Sequence, residues 1–191
     1  ERIDEFEPRF TYKGFRFIEI TGITKEKAYT LEITYIKLSS SFSDAGTFEC
    51  DNEIINAIQK LTINSNRANF FYFPTDCPQR EKNGWTGDAV LSADQFMYNL
   101  ECANSLTVWL ENIVKAQRKD GALPGIVPTN DWGYIDWSGP SWDGVIFELP
   151  YRIYTFTGET KAIEICADSM VKYLKFMETF RDENGLLDYG L

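Results

Sequence analysis

Acidic, basic and indole side chains are concentrated in one short segment of the sequence, from Asp76 to Asp88. Three carboxylates, Asp76, Glu81 and Asp88, share this segment with the guanidinium of Arg80 and the indole of Trp85. Cleavage of a glycosidic bond uses one carboxylic acid to protonate the leaving oxygen and a second carboxylate to activate water or to attack carbon. Mutual repulsion between carboxylates keeps one of them protonated, and an indole face suits the apolar side of a sugar ring. The segment therefore has the groups that glycosidic chemistry requires.

The same segment also has a purely structural interpretation. Asp76 can form a turn before Cys77-Pro78, Arg80 can form an ion pair with Glu81 or Asp88, and Asp88 can cap a helix. Structural ion pairs also cluster carboxylates, so spacing alone does not choose between the two interpretations.

A second segment, 124–142, repeats tryptophan next to aspartate. The pairs are Asp131-Trp132, Asp136-Trp137 and Trp142-Asp143. Indoles that stack on C–H faces, beside carboxylates that accept hydroxyl hydrogens, form a sugar platform, and Trp137 and Trp142 are the candidate stacking residues. The alternative is that individual tryptophans only wedge helices apart.

Composition narrows the functional classes. The net charge of −10, with no basic patch, disfavours nucleic acid and fits a neutral ligand such as a sugar. Histidine is absent, which removes Ser-His and Cys-His nucleophile systems and the commonest metal ligand. The four cysteines are widely spaced and indicate neither a zinc site nor a disulfide scaffold, so no metal or cofactor is expected. No membrane-spanning run or signal peptide is visible, and the N-terminus does not identify a compartment.

The elements that must position these segments change character along the chain. Residues 29–35 alternate apolar and polar side chains, and 15–20 is a similar run, so the sequence predicts an antiparallel pair of strands from the end of a β-sandwich. Beyond residue 46 the period becomes helical. Helices are predicted after Asp51 as cap, over 88–99, around 106–113, over 145–156 with a kink or late start at Pro150, and around 163–177. The two Trp- and Asp-rich segments are then long loops at one end of a helical scaffold, with no strand between the helices.

The segment Asp76-Cys77-Pro78-Gln79-Arg80-Glu81, followed by Gly84-Trp85-Thr86-Gly87-Asp88, resembles the signature of the α-L-rhamnosidases of glycoside hydrolase family 78. Residues 7–16 resemble the strand segment that those enzymes carry just upstream. The resemblance spans essentially the whole chain. It implies a mainly α fold, with a β-sandwich end at 1–45 and the first part of an (α/α)6 toroid, the six-hairpin glycosidase domain, at 46–191.

The resemblance also implies roles for individual residues. Glu81 matches the general acid, and Asp76, Arg80, Trp85 and Asp88 match positions that hold the terminal rhamnose. Such enzymes invert the anomeric configuration, so a general base is expected about 6.5–9.5 Å from the acid. In the family that base follows the acid by a long stretch of sequence, which places it beyond Leu191 and predicts that this chain alone is inactive. The truncated helical face is expected to promote association.

Besides the general base expected beyond Leu191, one more departure from the family pattern and two alternative functions remain open. The family shows Trp-Gly-Asp near its fourth helix, whereas this chain has Trp142-Asp143-Gly144, which leaves the role of Asp143 open. One alternative function is a carbohydrate-binding module without catalysis. The other is a different six-hairpin glycosidase, or a polysaccharide lyase that uses tyrosine as base.

Overall fold

The structure is a computed structural model that describes residues 5–129, 133–134 and 139–187. Within these ranges the chain is mainly helical, as the sequence predicts. The elements, in chain order, are α1 (Lys25–Ala28), α2 (Glu53–Asn69), β1 (Phe70–Phe71), β2 (Phe73–Pro74), α3 (Thr86–Asn99), α4 (Ala103–Ala116), α5 (Val145–Thr157) and α6 (Lys161–Glu178).

The two strands predicted in the N-terminal region are wrong for this structure. Residues 15–20 and 29–35 form no strand, and the connection between them contains the single helical turn α1. The Phe15 and Tyr35 rings do touch edge to face, with centroids 5.6 Å apart. A strand requires hydrogen bonds to a neighbouring strand, and residues 5–39 make no ladder with any described segment. Their alternating side chains therefore stay exposed, with Tyr29 81% accessible.

Helix α2 is capped by Asn52, one residue after the predicted Asp51. The Asn52 side chain accepts hydrogen bonds from the backbone N–H groups of Ile54 and Ile55, at 3.0 and 3.3 Å. The predicted apolar stripe of this helix is present but faces solvent: Ile54, Ile58 and Leu61 are all more than half exposed. Periodicity identified the helix correctly, but it gave no information about which surface covers the stripe.

A two-stranded hairpin follows α2 directly, so the prediction of no strand between helices is also wrong. β1 pairs antiparallel with β2, with Phe71 opposite Phe73. The turn residue between them, Tyr72, has φ of 69°. The hairpin reverses the chain between the end of α2 and the Asp76–Asp88 loop. Its first residue, Phe70, is fully buried in the core.

Helices α3 to α6 enclose the apolar core. Trp109 of α4 is 1% exposed and donates its indole N–H to the carbonyl of Val127 at 2.8 Å, so its bulk is buried without an unpaired donor. α5 begins at Val145 and ends at Thr157, where Gly158 with φ of 74° caps it, and it carries Pro150 inside it rather than at its start. Each of α3 and α4 packs on α5, and α4 and α5 pack on α6.

The two candidate loops converge because they are hydrogen-bonded to each other. The backbone N–H of Thr86 donates to Gly125 at 2.9 Å, and the N–H of Val127 donates to Gly84 at 2.9 Å. A Cβ on Gly84 would lie 2.0 Å from the Val127 carbonyl oxygen, so only glycine permits this approach. The first loop enters α3 and the second enters α5, so the site is built where these two helices begin.

Candidate active site

The loop from Thr75 to Trp85 is closed by its own backbone. The N–H of Asp76 donates to the carbonyl of Asn83 at 3.1 Å, and the N–H of Asn83 returns to Oδ1 of Asp76 at 2.9 Å. Lys82 donates its N–H to Cys77 at 3.2 Å and turns with φ of 58°. Asp76 therefore forms the turn, as the structural interpretation predicts.

Cys77 links two of the candidate carboxylates. Its thiol lies 3.0 Å from Oδ2 of Asp76 and is placed to donate to it, while the backbone N–H of Glu81 donates to Sγ at 3.2 Å. Sulfur thus connects the side chain of Asp76 to the backbone of Glu81. Sequence analysis did not assign Cys77 to the site, and its position between Asp76 and Glu81 was the available signal.

Glu81 is fixed by the indole four residues later. Trp85 donates its Nε1–H to Oε2 of Glu81 at 2.9 Å. The Glu81 side chain is otherwise exposed. The hydrogen bond orients the carboxyl group and leaves Oε1 free of that bond.

A cavity of about 250 Å³, the active-site cavity, brings most of the predicted residues together. Its walls are Asp76, Glu81, Trp85, Asp88 and Trp142. Five of the seven predicted site residues therefore share one concave surface, a shape typical of small-ligand sites.

Trp142 reaches this cavity because the second residue of α3, Gly87, is a glycine. Its ring lies 6.4 Å from that of Trp85, at 70°. A Cβ on Gly87 would lie 2.7 Å from Nε1 of Trp142, which no ordinary side chain allows. Thr86, which is fully buried, donates its hydroxyl hydrogen towards the Trp142 carbonyl at 3.0 Å and the Gly125 carbonyl at 3.1 Å. The two indoles thus form adjacent walls held by the first turn of α3.

Asp88 is the acidic residue whose environment is most informative. It lies in the first turn of α3 and does not cap it, since Trp85 occupies the N-cap position. Partial burial is the largest influence and raises the pKa of Asp88, and the charges of Asp76 and Glu81 raise it further. A backbone hydrogen bond and the contact with Trp142 oppose the rise in this pKa. The carboxylates are thus electrically coupled, which is the arrangement expected for acid-base chemistry.

The N-terminal region also contributes to the site, which sequence analysis did not predict. Nζ of Lys82 lies 5.3 Å from the ring centre of Tyr12, and the Tyr12 ring packs edge to face on Phe71. Burial is the largest factor that raises the pKa of Tyr12, and Asp76 and Cys77 raise it further. Tyr12 therefore packs between Lys82 of the Asp76–Asp88 loop and Phe71 of β1.

The remaining predicted residues are placed differently. Arg80 is exposed and does not line the active-site cavity. Trp137 lies outside the described residues. Asp143 is completely buried, where Tyr173 donates its hydroxyl hydrogen to Oδ2 at 3.2 Å, so it supports the turn behind Trp142 rather than facing the cavity.

The described ranges contain neither a metal-binding cluster nor a membrane-spanning helix. No group of three or more Cys, Asp or Glu side chains there is arranged to hold a metal ion. None of the helices described combines the length and the apolar character that a bilayer span requires.

Comparison with known families assigns both parts of the chain. Residues 43–190 match the bacterial alpha-L-rhamnosidase 6 hairpin glycosidase domain, and residues 1–39 match the bacterial alpha-L-rhamnosidase concanavalin-like domain. An α-L-rhamnosidase of Alteromonas sp. (strain LOR) is 33% identical over 197 residues, covering 98% of this chain and 21% of the relative.

The chain belongs to the bacterial α-L-rhamnosidase family. One α-L-rhamnosidase of Formosa agariphila is 32% identical over 172 residues, which covers 89% of the chain and 18% of that relative. The chain therefore spans about a fifth of the length of these rhamnosidases.

Solved rhamnosidase structures share the fold. The enzyme from Aspergillus terreus superposes with a TM-score of 0.72 at 29% identity, covering 78% of this chain and 17% of that one. The Streptomyces avermitilis enzyme, solved in complex with L-rhamnose, gives a TM-score of 0.69 at 28% identity, covering 75% and 14%. The predicted six-hairpin fold class is thereby confirmed.

Proposed function

We propose that this chain supplies the general-acid side of the active site of an inverting α-L-rhamnosidase. The observation that carries the proposal is the convergence of Glu81, Asp76, Asp88 and two indoles on one cavity. Glycosidic hydrolysis needs that combination of a proton donor, hydrogen-bonding carboxylates and a stacking surface. The family to which the chain belongs supplies the sugar: terminal α-L-rhamnose.

Glu81 is the proposed proton donor. The Trp85 indole holds one of its oxygens at 2.9 Å and leaves the other available for the leaving oxygen of the substrate. Asp76 and Asp88 line the same cavity as Glu81. A general acid must lie within hydrogen-bond reach of the leaving oxygen, and the cavity is where a bound sugar would place that oxygen.

The other residues hold the sugar. Asp76 and Asp88 accept hydrogen bonds from its hydroxyl groups, and Trp85 and Trp142 pack against its C–H faces. By family resemblance, Arg80 also contacts the substrate. Trp137 is a further stacking candidate, from the Trp-Asp pattern of its segment alone. Arg80 is exposed and does not line the active-site cavity, so it can contact the sugar only if the bound sugar extends beyond that cavity.

The proposed mechanism is a single displacement. Glu81 protonates the leaving oxygen while a second carboxylate, from the hairpins that complete the toroid, activates water on the opposite face of the sugar. The acid and the base must then lie about 6.5–9.5 Å apart. We propose that the chain without those hairpins is inactive, and that its two parts divide at residues 1–45 and 46–191.

The test of the acid is Glu81→Gln in an enzyme that contains this chain together with the remaining hairpins. Turnover of substrates with poor leaving groups is expected to fall by about 10²-fold or more, whereas activated aryl rhamnosides lose less, because they need little protonation. Rhamnose affinity should be retained. Equal rates for wild type and variant on unactivated substrates would remove Glu81 from this role.

Asp88→Asn is the matched comparison, since Asp88 is the residue whose pKa is raised. If Asp88 were the acid, its variant and not Glu81→Gln would show the dependence on the leaving group. Unsaturated products from the wild-type enzyme would instead identify a lyase. Sugar binding with no hydrolysis would identify a binding module.

The exposed apolar stripe of α2 is the surface that we assign to association. Ile54, Ile58 and Leu61 project from a helix that contributes one fully buried residue, Asn66, to the described structure. We propose that further helices of the six-hairpin domain cover this stripe in a complete enzyme. In the isolated chain the same stripe promotes self-association.

A further inference from the structure

One short segment of the N-terminal region is partly withdrawn from solvent. Between residues 5 and 38, Tyr12 and Gly14 are the two residues that are not exposed, and both are half-buried. Lys13 between them is exposed, and burial of alternate residues is typical of an extended chain that lies along a surface. We call residues 12–14 the N-terminal strap.

The strap lies against the loop that carries Glu81, and it contacts that loop on both sides of this residue. A Cβ on Gly14 would lie 2.8 Å from Cβ of Gln79, 3.1 Å from its Cα and 3.2 Å from its backbone nitrogen. Nζ of Lys82 lies 5.3 Å from the ring centre of Tyr12. Gln79 is two residues before Glu81, and Lys82 is the residue after it. The two points of contact therefore enclose the proposed acid.

Tyr12 is itself packed against the hairpin that precedes the loop. Its ring meets that of Phe71 edge to face, with centroids 5.7 Å apart. An edge-to-face aromatic pair and a cation–π contact each stabilise a structure modestly, and here one ring makes both. Removal of the ring therefore separates Lys82 from β1.

The backbone between the two contact points is exposed, and it ends in a strained residue. Residues 79–81 are exposed, and Lys82 has φ of 58°, a conformation that residues other than glycine rarely adopt. Such a conformation persists only where the surroundings determine it. The Trp85 indole restrains the side chain of Glu81, whereas the strap contacts the backbone that carries it.

The strap and the loop belong to different parts of the chain. The strap lies within residues 1–39, the concanavalin-like part, and the loop lies within residues 43–190, the glycosidase part. We propose that the strap positions the acid: Tyr12 and Gly14 of the concanavalin-like part hold the backbone on either side of Glu81 in the glycosidase part. The role of Glu81 rests on the proposed function, whereas the contact between strap and loop does not.

The first test measures the loop itself, in an enzyme that contains this chain with the remaining hairpins. Hydrogen–deuterium exchange, read by mass spectrometry, follows the backbone amides of residues 79–83. The amides of residues 81–83 are hydrogen-bonded within the loop, so their exchange reports its opening. Tyr12→Leu is expected to speed this exchange about tenfold through loss of both ring contacts, with exchange in α4 unchanged.

The second test measures proton donation. Tyr12→Leu is expected to lower kcat on unactivated rhamnosides about tenfold but on p-nitrophenyl α-L-rhamnoside less than about twofold, because an activated leaving group needs little protonation. Affinity for L-rhamnose should be retained, since the strap does not line the active-site cavity. A general loss of structure would instead lower both rates and the affinity together.

Gly14→Ala is the second variant, and two tyrosine variants are controls. The added methyl group at Gly14 must displace the Gln79 backbone, so this variant should change exchange and kcat in the same direction as Tyr12→Leu. Tyr12→Phe keeps the ring and should retain slow exchange and most of the activity. Tyr29→Leu makes the same change at a tyrosine of the N-terminal region that is 81% exposed, and it should change neither measurement. Thermal unfolding shows whether each variant is folded.

Two results would overturn the inference. Wild-type exchange at residues 79–83 in both Tyr12→Leu and Gly14→Ala would show that the strap does not hold the loop, whatever the function of Glu81. Faster exchange with equal losses of rate on the two classes of substrate would show that the strap stabilises the loop without positioning the acid. Failure of the proposed function is recognised separately, because Glu81→Gln would then lack the dependence on the leaving group while loop exchange in Tyr12→Leu remained faster.

Discussion

Replacement of Gly87 by alanine tests whether the two indole walls have to be as close as the structure places them. The added Cβ would lie 2.7 Å from Nε1 of Trp142 and 2.8 Å from its Cδ1 and Cε2. Ordinary carbon contacts begin near ~3.5 Å, so the indole must retreat by roughly 0.7 Å or rotate. Thr86, which holds the Trp142 backbone at 3.0 Å, prevents the whole residue from moving away freely.

The expected cost has two parts. Overpacking costs about 1–3 kcal/mol in the free energy of unfolding, and the better helix propensity of alanine returns up to ~1 kcal/mol. The net destabilisation is therefore about 0–3 kcal/mol. Displacement of a stacking wall is expected to weaken L-rhamnose binding by up to about tenfold, the equivalent of one aromatic contact.

The assay is isothermal titration calorimetry with L-rhamnose, together with thermal unfolding of the same samples. Gly46→Ala is the matched control, because its added Cβ would have ordinary contacts, with the nearest atom 3.5 Å away. It should leave affinity unchanged. Wild-type affinity in Gly87→Ala, with any change in stability, would refute the assignment of Trp142 to the sugar site.

Three further predictions concern charge, sulfur and the apolar stripe. The pKa of Asp88 is raised in the folded chain, so its stabilising contribution is complete below the unfolded carboxyl pKa of about 3.9 and is lost as pH rises through the folded value. The Tm of Asp88→Asn minus that of wild type should therefore increase as pH rises from about 3 to about 7, as measured by scanning fluorimetry. A Tm difference that does not change with pH would contradict the raised pKa. Cys77→Ala should lower kcat/KM about fivefold by releasing Asp76 and Glu81, with Cys77→Ser retaining most of the activity, and equal losses in both variants would exclude the hydrogen-bonding role. Leu61→Glu should reduce self-association of the isolated chain in light scattering, and an unchanged mass distribution would place the association surface elsewhere.

The sequence predicts the helical part of the fold well because each long helix has a continuous local signal. α6 shows an apolar stripe from Ile163 to Met177, and its bounds enclose that stripe. α3 begins two residues earlier than predicted, because Trp85 rather than Asp88 occupies the N-cap position. Strands depend on partners distant in sequence, so the alternation over 29–35 could not show whether a pairing strand is present.

The candidate site was partly predictable for the same reason. Asp76, Glu81, Trp85 and Asp88 lie close in sequence, and one loop with one helix start brings them together. Trp142 was predicted as a stacking residue, but its packing on α3 depends on Gly87, a contact between distant segments that no local pattern shows.

Support from other segments was not predictable. Tyr12, in the N-terminal region, contacts Lys82 of the Asp76–Asp88 loop. Neither its residue type nor its spacing in the sequence predicts this contact.

The central claim, that Glu81 donates the proton in an inverting hydrolysis, is tested most directly by the anomer first released. An NMR time course with p-nitrophenyl α-L-rhamnoside follows the anomeric proton of the first sugar released. The two proteins compared are an enzyme that contains this chain with the remaining hairpins, and its Glu81→Gln variant. An unactivated rhamnoside is followed in parallel. We expect β-rhamnose first, and we expect the variant to lose the rate on the unactivated rhamnoside. Early α-rhamnose, or an undiminished rate in Glu81→Gln on the unactivated substrate, would contradict it.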